Sequence, residues 1–157
     1  ILKSPSKDHQ EITNLINQFS GQLNGESIIE KNQVEIKEIF EQESVEDILK
    51  KTNLLSENGS DFAKNIEHEL MGKSPTSLKI TFKQINEATE MSLRDALIME
   101  YRMVQRCQAS GDFYEGVRAM LVDKDRKPNW KPSDLNKVDE IWVNHFFEPL
   151  HEKDLKI

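Results

Sequence analysis

The stretch that decides the fold is SLRDALIMEYRMVQRCQASGDFYEGVRAML, residues 92–121. Leu93, Ala96, Leu97, Tyr101 and Val104 recur at steps of three and four, the period of an α-helix and not of a strand. Ser92 followed by Asp95 marks a capped helix start, and Gly111 marks a stop. Asp112 with Glu115 then reads as the cap of a second helix, with Phe113, Val117, Met120 and Leu121 expected to face inward.

The same grammar extends in both directions. Upstream, Ser74-Pro75 is a strong helix start, because proline at the first helical position forfeits no hydrogen bond; Leu78, Phe82 and Ile85 follow on one face. Ser60 caps DFAKNIEHELM, with Phe62, Ile66 and Leu70 inward and Gly72 at its end, and Ser44 with Asp47 caps VEDILKKTN, with Val45, Ile48 and Leu49 inward. Val34, Ile36, Ile39 and Phe40 suggest a short helix. Residues 22–33 read as a polar connection plugged by Ile28 and Ile29. Ile12, Leu15, Ile16 and Phe19 form a further helical stripe that Gly21 stops. Downstream of Pro128 and Pro132, Ser133 or Asp134 starts a last pair of turns holding Leu135, Val138, Trp142, Phe146 and Phe147. No alternating strand pattern is found. The expected fold is all-α, an irregular bundle of about seven to nine helices in one domain over residues 1–157.

Composition narrows the function. The chain has 157 residues and a formal net charge of −7, which argues against a nucleic-acid partner, since phosphate neutralisation needs a concentrated basic face. No apolar run approaches the roughly 18 residues of a membrane span, so a soluble protein with no membrane partner is expected. Cys107 is the only cysteine, which rules out an intrachain disulfide and suggests a reducing compartment. His9, His68, His145 and His151 are scattered, with no helical ligand spacing, so no metal is expected. No targeting segment is visible. A chain opening at Ile1 is expected to be processed or cut from a longer protein.

Catalytic patterns fail one by one. No serine sits in a strand-to-helix elbow, and most serines are caps, so a nucleophilic triad has no support. Cys107 on a helix is ordinarily a small packed group. Asp123-Lys124-Asp125 opens like a calcium loop, but position six is Pro128 and position twelve is Asp134, where glycine and glutamate are needed. Capping and solvation account for Asp112 and Glu115, and Glu100 is expected to pair with a basic neighbour. The segment KDRKPNWK, residues 124–131, is different in kind: Lys124, Arg126, Lys127 and Lys131 surround Trp130 in an acidic protein. It reads either as a solvated turn anchored by Trp130, the commoner case, or as contact with the phosphates and purine of a nucleotide-like ligand.

Three blocks taken together carry a resemblance. SPTSLKITFKQI (74–85), MEYRMVQRC (99–107) and GDFYEGVRAMLVDKDRKPNWKP (111–132) occur in an order and spacing similar to the late part of crotonase-superfamily enzymes. Asp112, Phe113, Glu115 and Gly116 match the family's Asp-Phe-x-Glu-Gly. The segment Val122–Asp125, the two prolines around Trp130, the tail ending KDLKI and the early LKSPSKDHQEI resemble the branch that hydrolyses 3-hydroxyisobutyryl-CoA in valine breakdown. The match is strongest over 74–138 and collinear on either side.

That resemblance implies a C-terminal helical region without the N-terminal crotonase core. In the family, two backbone N–H groups of that core hold the thioester oxygen as charge develops, and its acidic side chains handle water and protons. None of these has a matching position here, so the resemblance implies no catalytic residue in this chain and no activity for it alone. It implies an acyl-CoA substrate for the parent, with coenzyme A as part of the substrate and no separate cofactor. It also implies the missing core as partner, a mitochondrial matrix location, and possible CoA contact by Lys124, Lys127, Trp130 and Lys131. Helices built to cover an absent core are expected to self-associate. Two alternatives stay open: another crotonase-type hydratase or isomerase, and a non-enzymatic helical interaction module.

Overall fold

A computed structural model of the chain describes residues 9–20 and 27–157. Nine α-helices appear among the described residues: α1 (His9–Phe19), α2 (Ile28–Lys31), α3 (Gln33–Phe40), α4 (Val45–Glu57), α5 (Asp61–Met71), α6 (Pro75–Ala88), α7 (Leu93–Ala109), α8 (Gly111–Val117) and α9 (Glu140–His145). A π-helical turn, Arg118–Val122, continues α8, and 3-10 turns cover Leu135–Lys137 and His151–Lys153. No strand occurs among the described residues, as the periodicity requires. The predicted stop at Gly21 and most of the early LKSPSKDHQEI block lie outside the described residues.

The predicted caps form as hydrogen bonds. The hydroxyls of Ser44, Ser60, Ser74 and Ser92 accept from the N–H groups of Asp47, Ala63, Ser77 and Asp95, and Pro75 occupies the first turn of α6. Asp134 caps the 3-10 turn Leu135–Lys137, and Asp139 caps α9. The polar connection contains a helix after all: Ser27 and Glu30 form a reciprocal capping box, and Ile28 and Ile29 start α2 as exposed residues and not as a plug. Asp112 and Glu115 do not cap α8. Ser110 stands at that position without a capping bond, its hydroxyl donating instead to the Cys107 carbonyl at 2.7 Å, and Gly111 begins α8 where it was expected only to end α7.

The chain divides into two compact units, residues 1–36 and 37–157. In the first, the α1 stripe of Ile12, Leu15, Ile16 and Phe19 is exposed, Phe19 at 83 %. The second unit is built around two apolar clusters. In one, Ile39, Ile48 and Ala63 are buried, with Phe62, Ile66, Leu70 and Phe82 packed on them. Its frame is the α4–α5 hairpin, which turns at Gly59, whose φ of +95° suits a residue without Cβ. Thr52 is fully buried there and gives its hydroxyl to the Ile48 carbonyl at 2.6 Å. The other cluster joins Ile80 of α6, Met99 and Met103 of α7, Val138, and Val143 and Phe146 of the tail. The tail is further held where the Arg102 guanidinium forks onto the Asp154 carboxylate.

Two apolar faces run against expectation. On α7 the buried stripe is Met99–Met103 with half-buried Cys107, whereas Leu93, Leu97 and Val104 are exposed, Leu93 at 78 %. The helix carries two apolar stripes, and periodicity cannot tell which one finds a partner. On α8 and the π-turn, Phe113, Met120 and Leu121 are exposed and Ala119 is the buried residue.

Candidate functional site

The candidate site is the junction where α8, the π-turn and the loop 123–132 meet the start of α6. Its framework is the Asp-Phe-x-Glu-Gly motif. Asp112 accepts the Ser74 hydroxyl on Oδ2 at 2.6 Å and the Lys131 backbone N–H on Oδ1 at 2.9 Å, so one carboxylate ties the α6 start to the far end of the loop. Glu115 Oε1 accepts the Asn129 N–H at 2.6 Å, and both its oxygens receive the guanidinium of Arg118. Gly116 leaves the space that Trp130 fills: a Cβ there would lie 3.3 Å from Trp130 Cη2. The Trp130 indole N–H donates to the Gly72 carbonyl at 3.1 Å.

Arg118 is the hub. Besides its fork onto Glu115, its Nη1 reaches Asp123 Oδ2 and Asp125 Oδ2, each at 2.7 Å, and its Nη2 donates to the Lys127 carbonyl at 3.2 Å. Five hydrogen-bond donors in a planar fork allow one side chain to serve so many acceptors. The cluster favours the ionised forms of Glu115 and Asp125. Arg118, and then the Asn129 N–H, lower the Glu115 pKa to about 2. Arg118 and the Lys127 N–H push the Asp125 carboxyl down, and the three carboxylates push the guanidinium up.

All four residues singled out in the sequence lie in this loop. Lys124, Lys127 and Lys131 are exposed, Lys124 at a positive φ of 55°. Trp130 is half-buried and serves as the anchor of the turn. Sequence reasoning passed over Arg118 and treated Asp112 and Glu115 as caps. The signal that could have corrected it is the cluster of three carboxylates within a few residues of one arginine. Glu100 takes the Gln84 side-chain amide at 3.1 Å in place of the expected cation. Cys107 has its pKa raised by burial, which leaves it a packed thiol.

Beside the junction lies an apolar cleft of about 810 Å³. Leu78, Phe82, Phe113, Val117, Met120 and Leu121 form much of its lining, while Ser74, Asp112, Gly116 and Trp130 belong to both cleft and junction. Such a cleft has room for a drug-sized ligand or for side chains from another body. Of its polar members, the Ser74 hydroxyl is committed to Asp112 and to the Ser77 N–H, Lys73 pairs with Glu69, and the buried Thr76 hydroxyl finds no partner.

Residues 1–147 match the family model described as enoyl-CoA hydratase/isomerase. The chain is 42% identical over 160 residues to the mitochondrial 3-hydroxyisobutyryl-CoA hydrolase of Gallus gallus, covering 99% of this chain and 40% of that protein. The corresponding protein of Homo sapiens is 40% identical over 157 residues, with the same shares covered. The chain thus spans about 40% of the length of these relatives. Among solved structures, an enoyl-CoA hydratase from Rhodobacter sphaeroides and a carnitinyl-CoA dehydratase from Mycobacterium thermoresistibile each superpose with a TM-score of 0.78 at 26% identity, covering 94% of this chain and 44% of theirs. The chain belongs to the enoyl-CoA hydratase/isomerase family.

Proposed function

We infer that this chain is the helical C-terminal part of an acyl-CoA thioester hydrolase acting on 3-hydroxyisobutyryl-CoA in the mitochondrial matrix. The observation that carries the reading is identity near 40% running through 99% of the chain, tail included, to hydrolases of that name. In such a parent, water adds to the thioester carbonyl, and the tetrahedral oxyanion collapses with loss of the CoA thiolate, giving the free acid. The groups that stabilise the oxyanion and activate water belong to a crotonase core outside this chain.

Three roles fall to the helical part. The exposed apolar residues of α7, α8 and the π-turn, with the cleft beside them, suit the packing of that core. Lys124, Lys127 and Lys131 offer cations to the phosphates of CoA, and Trp130 is the aromatic member that fixes the loop between them. Without the core, the same apolar surface drives self-association. The test is thioester cleavage of 3-hydroxyisobutyryl-CoA by the full-length protein, set beside this chain alone. The parent is expected to release CoA thiol and the chain is not; turnover by the chain above the uncatalysed rate would sink the assignment.

A second reading, a hydratase or isomerase, draws on the family match and on the two superposed solved structures. Hydration of crotonyl-CoA by the parent, without thiol release, would establish it.

A further inference from the structure

We propose that Arg118 is a positioning residue: it sorts the charges of the 123–131 loop, drawing the carboxylates to itself so that the exposed Lys124, Arg126, Lys127 and Lys131 are left without salt bridges as a preformed anion-binding segment. The inference rests on the reading above that this loop meets the CoA phosphates.

The alternation Asp123-Lys124-Asp125-Arg126-Lys127 would, in a free chain, let neighbouring opposite charges screen one another. The structure separates them. Glu115, Asp123 and Asp125 all pair with the one guanidinium, and among the described residues none of the four other cations makes a salt bridge, although Lys131 lies near enough to Glu115 to help hold it ionised. The separation needs an unusual backbone. Lys124 and Arg126 both take left-handed φ, 55° and 56°, which side-chain-bearing residues rarely adopt. The conformation is held from both sides: the Asp123 N–H donates to the Arg118 carbonyl at 2.8 Å, the Arg126 N–H to the Ala119 carbonyl at 3.0 Å, and the Lys127 N–H to Asp125 Oδ1 at 2.8 Å. Arg118 and the motif carboxylates then fix the loop's far end through Lys127, Asn129 and Lys131. Persistent backbone strain over-determined by its surroundings is a mark of a functional segment.

The test uses the full-length enzyme, with 3-hydroxyisobutyryl-CoA and the matching acyl-pantetheine, which lacks the nucleotide phosphates. Arg118→Lys keeps the charge but cannot fork onto three carboxylates. It is expected to raise KM for the CoA ester about tenfold, with kcat changed less than about twofold, and to leave KM for the pantetheine ester where it was. Asp123→Asn with Asp125→Asn retains Arg118 and removes two negative charges from beside the four other cations. If geometry were irrelevant, that change would lower KM for the CoA ester; loss of positioning raises it. Lys124→Ala with Lys127→Ala and Lys131→Ala tests the underlying contact and should raise the same KM.

A normal KM in the triple lysine variant would overturn the contact reading and the positioning role with it. A raised KM there, with Arg118→Lys unchanged or the double aspartate variant lowered, would overturn the positioning role alone. Equal losses on both esters would make Arg118 a purely structural residue. Should Arg118→Lys fail to fold, the sign of the double aspartate variant decides.

Discussion

Gly116 shows how closely the junction is fitted. Alanine there would place its Cβ 3.3 Å from the Trp130 ring, a contact that a small shift of the indole relieves, and it would gain helix propensity in return. Valine would not be accommodated so easily. Gly116→Val is expected to cost about 1–3 kcal/mol in urea unfolding through overpacking, and to red-shift Trp130 emission as the bond to Gly72 breaks. An unchanged emission maximum would mean the ring is not held as described. Glu115 gives a pH prediction. Its pKa falls from an ordinary 4.5 to about 2, so its contribution is present above 4.5 and is lost as the pH falls towards 2. Asp125 and Asp154 shift the same way, under Arg118 and Arg102 respectively. Stability against urea should therefore decline across that interval, and Glu115→Gln should flatten the decline; equal slopes in both proteins would count against the paired carboxylate. The residues of this cluster were legible in the sequence as a motif. Their partners were not, because Asp112 meets Ser74 across 38 positions and Trp130 meets Gly72 across 58, and local pattern carries no such information.

Helices and their ends were the most legible elements. A serine cap satisfies N–H groups two or three residues ahead, so cap and helix are encoded together. Ser74 has a second duty, since its hydroxyl also donates to Asp112. Ser74→Ala should cost about 1–2 kcal/mol in thermal or urea unfolding; a cost below a few tenths would show that the bond to Asp112 is not made. Which face of a helix turns inward was less legible. Two stripes on α7 are apolar, and the methionines, not the leucines and valine, are buried because the tail supplies Val143 and Phe146 opposite them. Phe146, 1 % exposed, is the centre of that contact. Phe146→Ala should cost about 3–5 kcal/mol, read as a shifted urea midpoint, and a cost under 1 would place the tail outside the cooperative fold.

For the molecule as a whole, the exposed apolar residues of α7, α8 and the π-turn set the outlook. Leu93, Met120 and Leu121 are each more than half exposed. The isolated chain is expected to bind an apolar dye and to show a sedimentation coefficient that rises with concentration; a monomer at all concentrations, silent to the dye, would remove the case for a covering partner. The amino-acid sequence by itself determined the helical class, the capped starts and the family pattern, because these depend on spacings within a few residues or on order along the chain. Tertiary structure alone decided which apolar stripe is core and which is open, and that Asp112 and Glu115 clamp a loop and do not cap a helix. It also decided that one arginine gathers three carboxylates. Each of these turns on which distant segment arrives opposite a given side chain, and that is set by packing of the whole unit.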